Sequence, residues 1–420
     1  MASLVEKNDF PRVLGPIFLG LMAVTGVFAR GLVNGFYALL ALWGVLYLLT
    51  AKKKWWLPTS PLPSKYLWGL GLYLGVTLLT TLTGSDYGRG LAHLGNVAYL
   101  LAGLPLAWLA LSQSPGLIRW LVPLYGLGLL VVGVVTFQQA GFGLACVRAK
   151  ASLGILELGA VLSQLVPLIV GAWAVAHQRR DRLAQGYYAG ALILAMVALQ
   201  TNCTRIALIC VPVLTLMTLW AHRDAFSLFV RLALLVAIIV AAVPVLSNQR
   251  IVDRFQEMTE ETGNYNNEVR FNHWRQGWRV FQGHPLLGVG PRAIPNAPPV
   301  EHPLYPELAK RERPKYYHAH QVFLTILAES GLVGLAGFLA LHLAPILILW
   351  PYRRDRDPQR RLWVWGAFVV ALQLGLNGLT DSVFTLKPLM YVYWVVTGAA
   401  LWVTSQPPGV GGSSPAQAKS

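Results

Sequence analysis

Three residues that lie far apart in the chain have side chains suited to anion binding and acid–base chemistry: Arg205, Arg270 and His320. A guanidinium group binds a phosphate through parallel, charge-assisted hydrogen bonds and keeps its charge at any physiological pH. A neutral imidazole can take a proton from an attacking hydroxyl group. A site that brought these residues together could therefore bind a diphosphate and activate a hydroxyl group beside it.

Each of the three residues also has an ordinary structural explanation. Arg205 begins an apolar run, and an arginine at the end of a membrane helix often extends to lipid headgroups. Arg270 lies among polar residues, where weak surface ion pairs are common. A histidine such as His320 at a membrane boundary is more often a hydrogen-bonded structural group than a base. Only the convergence of all three on one membrane face favours a functional site.

Five further residues are secondary candidates. Arg89 and Arg148 lie in short loops and are candidates for phosphate contact. Glu329 lies deep in an apolar run, where a carboxyl group is expected to be neutral or paired, in a packing role or a polar network. Asp381 is expected to pair with one of the arginines. His318 is expected to be a loop residue or a neighbour of the site.

The elements that position these residues are predicted to be membrane helices. Of the 420 residues, 55% are hydrophobic and only 12% are charged, and the mean hydropathy is +0.51. This composition excludes a water-soluble globular protein. The net charge of +16 does not indicate nucleic acid, because most cations lie in short connections between apolar runs, where they meet lipid headgroups. We therefore predict an all-α polytopic membrane protein with membrane lipids as partners and no nucleic acid.

About twelve apolar runs approach the roughly 20 residues that a helix needs to cross a bilayer. They lie near residues 12–30, 33–50, 65–83, 91–111, 119–138, 152–176, 186–203, 205–220, 228–246, 320–350, 361–381 and 386–404. An even number of spans places both termini on one side, and the lysine- and arginine-rich loops make that side cytoplasmic. The break at 201–205 is the weakest boundary, since merging the runs around it would reverse the orientation of everything that follows.

These runs divide the chain into four predicted regions. Residues 1–246 form transmembrane helices 1–9, 247–318 form a large periplasmic loop, 319–404 form helices 10–12, and 405–420 form a disordered cytoplasmic tail. The proline-rich stretch 291–314 of the loop is expected to be extended and could cover a site beneath it.

Two smaller patterns predict local structure. In the large loop, apolar residues recur near helical spacing and predict an amphipathic helix on the outer membrane surface. These residues are Val269, Trp274, Trp278 and Phe281. In the tenth span, glycines on one helix face predict close contact with another helix. They are Gly331, Gly334 and Gly337.

The three cysteines match neither a metal-binding spacing nor a disulfide framework. They are Cys146, Cys203 and Cys210. Cys146 and Cys203 could pair in an oxidising compartment, but filling of apolar space is the favoured explanation for all three.

Two motifs resemble those of a known superfamily. His320-Gln321, followed after nine residues by Gly331-Leu332-Val333-Gly334, resembles the His-(Asn/Ser/Gln)-x9-Gly-x-x-Gly pattern of the O-antigen ligases (WaaL). Arg270-x-x-x-Trp274, followed by Pro285-Leu-Leu-Gly-Val-Gly290, is similar to the Arg…Trp…Pro-Leu-x-Gly-x-Gly run of the wider Wzy_C superfamily. The twelve-span layout with one large late loop extends this similarity to the whole chain.

The resemblance implies a metal-independent, inverting glycosyltransferase with a GT-C-type membrane fold and no cofactor. Such an enzyme moves a glycan from undecaprenyl diphosphate to a sugar hydroxyl of the lipid A core, at the periplasmic face of the bacterial inner membrane. Arg205 and Arg270 would bind the diphosphate and His320 would activate the acceptor hydroxyl, with no residue assigned to a metal. The predicted outer loops also contain no Asp-x-Asp or Glu-x-Asp motif, which a metal-dependent GT-C enzyme would need.

Other functions stay open at this point. An O-antigen polymerase or a protein O-glycosylating ligase of the same superfamily would keep the same arginines and use another acceptor. A transporter of a lipid-linked sugar or small anion is expected to have charged residues near the membrane middle and paired half-helices. Only Glu329 lies deep, which favours the enzyme.

Overall fold

The computed structural model describes residues 10–50, 62–145, 147–228, 230–232, 236, 265–298, 318–382, 384 and 386–407. These residues form helices and connecting turns without β-strands. The helices are α1 (Phe10–Thr25), α2 (Arg30–Thr50), α3 (Ser64–Thr83), α4 (Tyr87–Leu101), α5 (Gly103–Gln113), α6 (Ile118–Gln139), α7 (Ile155–Gln178), α8 (Arg182–Asn202), α9 (Arg205–Ala221), α10 (Tyr265–Gly283), α11 (Val322–Leu349), α12 (Pro358–Gly378) and α13 (Lys387–Ser405).

The chain is an all-helical polytopic membrane protein. Within the described residues, seven helical stretches are long and apolar enough to cross a membrane, and α1 and α9 are shorter apolar helices. Each predicted apolar run that falls in the described residues coincides with one helix, or with the pair α4 and α5. The run near 228–246 lies mostly outside the described residues, so the total of twelve spans and the four-region division stay predictions.

The predicted break between the seventh and eighth runs is confirmed. Helix α8 ends at Asn202 and α9 begins at Arg205. Between them, Cys203 has a φ of 55°, in the left-handed region that ends a helix. Helices α8 and α9 are therefore separate, and the chain reverses direction between them.

One cysteine differs from the expectation that all three fill apolar space. Cys203 is disulfide-bonded, so that expectation is wrong for this residue. Cys210 is a free, buried thiol in α9, as expected, and Cys146 lies outside the described residues.

Several connections meet at one end of the helix bundle, which we call the upper end. The Ser85 amide, in the turn after α3, donates to the carbonyl of Val289 at 2.9 Å. The Ala149 amide, in the loop between α6 and α7, donates to Thr201 at the end of α8 at 3.0 Å. The Ser152 hydroxyl donates to Phe28, after α1, at 2.7 Å. The opposite, lower end contains the arginine-rich connections before α8 and before α12.

The interruption of α11 at Gly331 is the main irregularity of the fold. This glycine has φ 64° and ψ −162°, so the helix is kinked there. The loop 285–290 occupies the break: the amides of Leu332 and Val333 donate to Pro285 and Leu286 at 2.9 and 3.2 Å. In the other direction, the amides of Val289 and Gly290 donate to the carbonyls of Ala328 and Glu329. The loop thus supplies the backbone hydrogen bonds that α11 loses.

Of the glycines predicted to form a helix contact in the tenth span, which is α11, only some make one. A Cβ atom at Gly337 would lie 3.4 Å from the backbone of Tyr73 in α3, as expected for close helix packing. A Cβ atom at Gly331 would lie 2.2 Å from the carbonyl group of Leu286 instead. Gly331 therefore makes room for the loop 285–290, a role that its spacing alone did not indicate.

Helix α10 uses a different face from the predicted apolar stripe. Its buried residues in the described part include Asn272, His273, Gly277 and Val280. Gly277 packs against Ala319 and Leu324 at the start of α11, whereas Trp278 is 50% exposed. The face that contacts the protein thus combines polar residues with Gly277 and Val280, because the small Gly277 lets α10 approach the start of α11.

The proline-rich stretch is described only up to residue 298. Contrary to the expected extended chain, Ile294–Asn296 forms a 3-10 turn, and Pro291, Ala293 and Ile294 are buried. Residues 299–317 and 408–420 lie outside the described residues, so the expected cover over the site and the disordered tail stay predictions.

Candidate functional site

Three histidines and an aspartate meet at the upper end of the bundle. Nδ1 of His320 lies 3.5 Å from Oδ1 of Asp381. The ring centroid of His320 lies 5.0 Å from that of His273 and 4.5 Å from that of His318. Asp381 was expected to pair with an arginine, and the structure pairs it with His320 instead.

The first turn of α11 fixes the backbone that carries His320. The side chain of Gln321 caps the helix by accepting a hydrogen bond from the amide of Leu324. The hydroxyl group of Thr325 accepts from the amide of Ala319 at 3.0 Å and donates to the carbonyl of Gln321 at 2.7 Å. His320 itself has a φ of 52°, a conformation that a non-glycine residue adopts only when its surroundings impose it. A local network of hydrogen bonds therefore fixes the backbone that positions the imidazole of His320.

The electrostatic environment keeps the neighbouring histidines neutral. Burial, together with the neighbouring His320 and other histidine or arginine side chains, lowers the pKa of His273 and of His318 to about 4. Burial alone would raise the pKa of Asp381, but hydrogen bonds from His320 and from the amide of Ser382 hold it below its ordinary value. At neutral pH a carboxylate therefore faces Nδ1 of His320. A neutral His320 would carry its proton on that nitrogen and use Nε2 as the acceptor.

Arg270 lies on the helix that packs over the histidines. It is exposed and precedes the buried His273 by three residues in α10. Residues three apart are neighbours on a helix surface. Since the ring of His273 packs against His320, Arg270 lies about one helical turn from the histidine cluster.

Arg205 reaches the same end of the bundle from another direction. It begins α9, and the next residue, Ile206, packs on the same apolar cluster as Leu376 in the last turn of α12. Asp381 follows that turn, and its amide donates to the carbonyl of Asn377 at 3.0 Å. Arg205 and Asp381 therefore lie at the same level of the bundle.

The two secondary arginines have different surroundings. Arg148 is exposed and adjoins Ala149, whose carbonyl accepts a 2.8 Å hydrogen bond from the side chain of Asn202. It thus lies at the same corner as Arg205. Arg89 is held by Asp86 at 3.1 Å and by Asn296 at 3.3 Å, which gives it a role in fastening the turn after α3.

Glu329 and His318 line a common cavity beside the histidine cluster. Glu329 is only 6% exposed, and its carbonyl accepts the amide of Gly290. The same cavity is lined by Arg292, whose backbone faces the carboxyl group of Glu329. The carboxyl group of Glu329 is thus hydrogen-bonded to the backbone of Arg292, at the point where loop 285–290 enters the break in α11.

Sequence reasoning missed His273 and Arg292. His273 follows Arg270 by one helical turn, so its position in the predicted helix was the available signal. Arg292 directly follows the Gly-Val-Gly-Pro turn. Neither residue could be assigned to the site before the packing of α10 and of loop 285–290 was known.

His318, His320 and Asp381 also form a possible ligand set for a cation. Each offers one ligand atom, and these atoms lie within 4.8 Å of one another. Two imidazoles and a carboxylate suit a transition metal. The hydrogen bond between His320 and Asp381 explains their proximity equally well without an ion, so a metal-removal experiment must decide between the two.

Residues 189–339 match the family model described as Wzy_C, O-antigen ligase. The matched segment contains Arg205, Arg270, His320 and the kink of α11. No curated protein matches the chain. The similarity of this polytopic membrane protein to the O-antigen ligase family therefore covers residues 189–339.

Proposed function

We propose that the protein is an O-antigen ligase. It transfers a glycan from undecaprenyl diphosphate to a sugar hydroxyl of the lipid A core, without a metal ion and with inversion at the anomeric carbon. The observation that carries the proposal is the His320–Asp381 pair at the upper end of the bundle. Arg270 lies one helical turn from His273, which contacts His320, and Arg205 lies at the same level of the bundle as Asp381. Both arginines are therefore at the end of the bundle where the proposal needs groups that bind the diphosphate.

The proposed reaction uses each of these side chains once. Nε2 of His320 takes the proton of the acceptor hydroxyl as its oxygen attacks the anomeric carbon, and Asp381 stabilises the imidazolium that forms. The bond between the anomeric carbon and the diphosphate breaks on the opposite face, which inverts the configuration. Arg205 and Arg270 bind the leaving diphosphate and stabilise its developing charge. The neutral His273 and His318 add no positive charge that would hinder protonation of His320.

We further propose that the upper end faces the periplasm and that both termini are cytoplasmic. The lower end holds basic loops, and positively charged short loops stay in the cytoplasm. These loops include Arg179, Arg180 and Arg182 before α8, and Arg353, Arg354 and Arg356 before α12. The disulfide-bonded Cys203 at the upper end fits an oxidising compartment. Both features support a location in the bacterial inner membrane, with the GT-C-type arrangement that the resemblance implies.

Metal removal tests the proposed metal independence. We expect purified enzyme dialysed against EDTA to keep its wild-type turnover, because His320 and Asp381 act as a proton-accepting pair. Added Zn²⁺ should not raise the rate. Loss of turnover in EDTA that Zn²⁺ restores would instead assign His318, His320 and Asp381 as a metal site.

Lipid analysis of a deletion strain tests the reaction itself. We expect the strain to accumulate long polymer on undecaprenyl diphosphate and to lose polymer from its lipid A core. Single repeat units on the core would indicate a polymerase, and loss of glycan from proteins would indicate a protein O-glycosylating ligase. Unchanged glycolipids with altered solute uptake would indicate a transporter of a lipid-linked sugar or anion. A plasmid copy of the gene should restore the wild-type pattern.

A further inference from the structure

A cavity of about 280 Å³ opens beside the histidine cluster. It lies between α3, α4 and α11, and the chain before α11 and after α12 completes its wall. His318 is its link to the site, since it lines the cavity and packs against His320. A ligand in this cavity would therefore have one end next to the proposed base.

The cavity is polar near the membrane boundary and apolar further in. Along α4, His93 lies about 9 Å below the first residue, at 1.5 Å per residue. Val97, Leu100 and Leu101 follow at about 15 to 20 Å, and all three line the same cavity. Tyr73 lines it at a similar depth in α3. This gradient suits an amphiphile with its polar head at the upper end and its chain towards the membrane interior.

The cavity lining as a whole has an excess of positive charge. Arg292 lines the polar part, and Lys387 lines the cavity deeper, 5.5 Å from the ring centroid of Tyr99, against one buried carboxyl group, that of Glu329. Even if Glu329 is ionised, the whole lining keeps a net positive charge. In addition, Nδ1 of His93 is buried and has no hydrogen-bond partner among the described residues. A buried polar atom without a partner has a free-energy cost that a bound ligand could remove. These features favour an anionic head group.

The cavity is separate from the proposed donor arginines. Among the described residues, its lining includes none from α7, α9 or α10. Arg205 is on α9, which packs against α7 and α12, and Arg270 is on α10. His320 lies between the two sets: it contacts His273 of α10 on one side and His318 of the cavity on the other. A group-transfer reaction needs two substrates that meet beside the base, and this arrangement provides a place for the second one.

We propose that the cavity is the acceptor site, and that Arg292 binds a phosphate group on the saccharide of the acceptor lipid. This inference rests on the proposed ligase function, since it names the site of the second substrate. The guanidinium group provides a planar fork for the phosphate oxygens. The lipid part of the acceptor lies along Val97, Leu100 and Tyr73. The acceptor hydroxyl then reaches His320 from the cavity side and attacks the anomeric carbon on the face opposite the donor diphosphate.

Steady-state kinetics with the Arg292→Gln variant test the acceptor site. Full-length protein in liposomes would be assayed with donor and acceptor glycolipids extracted from the deletion strain. Loss of a charge-assisted hydrogen bond should raise the KM for the acceptor by about 10- to 100-fold, with the donor KM unchanged. Arg292→Lys should restore part of the affinity. The matched control is Arg279→Gln, which removes the same charge from an exposed position of α10.

Dephosphorylated acceptor shows whether a phosphate is the group recognised. With this substrate the difference between wild type and Arg292→Gln should shrink to less than about threefold. A rise in donor KM instead would place the donor diphosphate in the cavity and overturn the proposal. Wild-type kinetics for both substrates in Arg292→Gln would overturn it as well.

Direct binding separates failure of this site from failure of the ligase function. Acceptor glycolipid should raise the melting temperature of the inactive His320→Ala variant as it does that of wild type. It should have little effect on Arg292→Gln. If no protein turns over but binding depends on Arg292, the acceptor cavity stands and the ligase reaction does not. If Arg292→Gln binds acceptor like wild type, the cavity proposal is wrong whatever the reaction is.

Discussion

Replacing His320 with alanine is expected to lower kcat by about 10² to 10⁴-fold, which is the usual contribution of a general base. The imidazole lies 3.5 Å from Asp381 and beside His273 and His318, whose pKa values are lowered to about 4, so these two neighbours are weak bases that replace it poorly. The measurement is transfer of glycan to acceptor lipid by purified protein in liposomes. Binding of both substrates should change little.

Two further variants distinguish loss of the base from loss of structure. His320→Asn keeps a residue that tolerates the left-handed backbone conformation at this position, and it should be as inactive as His320→Ala. His284→Ala removes an exposed histidine at the end of α10 and should leave turnover unchanged. If His320→Ala ligates at wild-type speed, His320 is not the base.

The second large effect is expected at Gly331. An alanine Cβ atom there would lie 2.2 Å from the carbonyl group of Leu286, and backbone atoms cannot rotate away as a side chain can. The φ of 64° adds a conformational cost for any residue with a Cβ atom. Together these effects should destabilise the fold by roughly 2 to 5 kcal/mol. We expect Gly331→Ala to lower the melting temperature in detergent and to reduce turnover.

The matched control for this variant is Gly375→Ala in α12. That position is helical, and a Cβ atom there meets no atom within 4 Å. Its melting temperature should stay close to that of wild type. If Gly331→Ala has the melting temperature of wild type and keeps full activity, the contact between Gly331 and loop 285–290 is not needed for the fold.

Much of the helix arrangement could be predicted from the sequence because membrane spans have long apolar runs. The runs that fall in the described residues coincide with helices, and the break at 201–205 was located correctly. The kink at Gly331 was not predicted. A glycine within an apolar run usually indicates helix packing, and its real partner, the loop 285–290, is brought there only by tertiary contacts.

The candidate site was predictable in part for the same reason. The spacing from His320 to Gly331 pointed to one element, α11, whose first turn carries the histidine. The partner of His320 is Asp381, which belongs to another helix connection, so no local pattern could indicate the pair. His273 was missed because the prediction for α10 concerned only its aromatic face, towards the membrane surface, and not the face that contacts the protein. Docking of Gly277 on Ala319 decides that face.

The break in α11 also has a consequence for the order in which the molecule assembles. Inside a bilayer an unpaired backbone amide or carbonyl costs several kcal/mol, so α11 cannot open at Gly331 before other groups replace its hydrogen bonds. Those groups belong to residues 285–290, which must therefore dock before the helix opens. The same docking brings Arg292 and α10 to the histidines. Completion of the site is therefore coupled to docking of this loop, and a chain in which the loop has not docked is expected to be inactive.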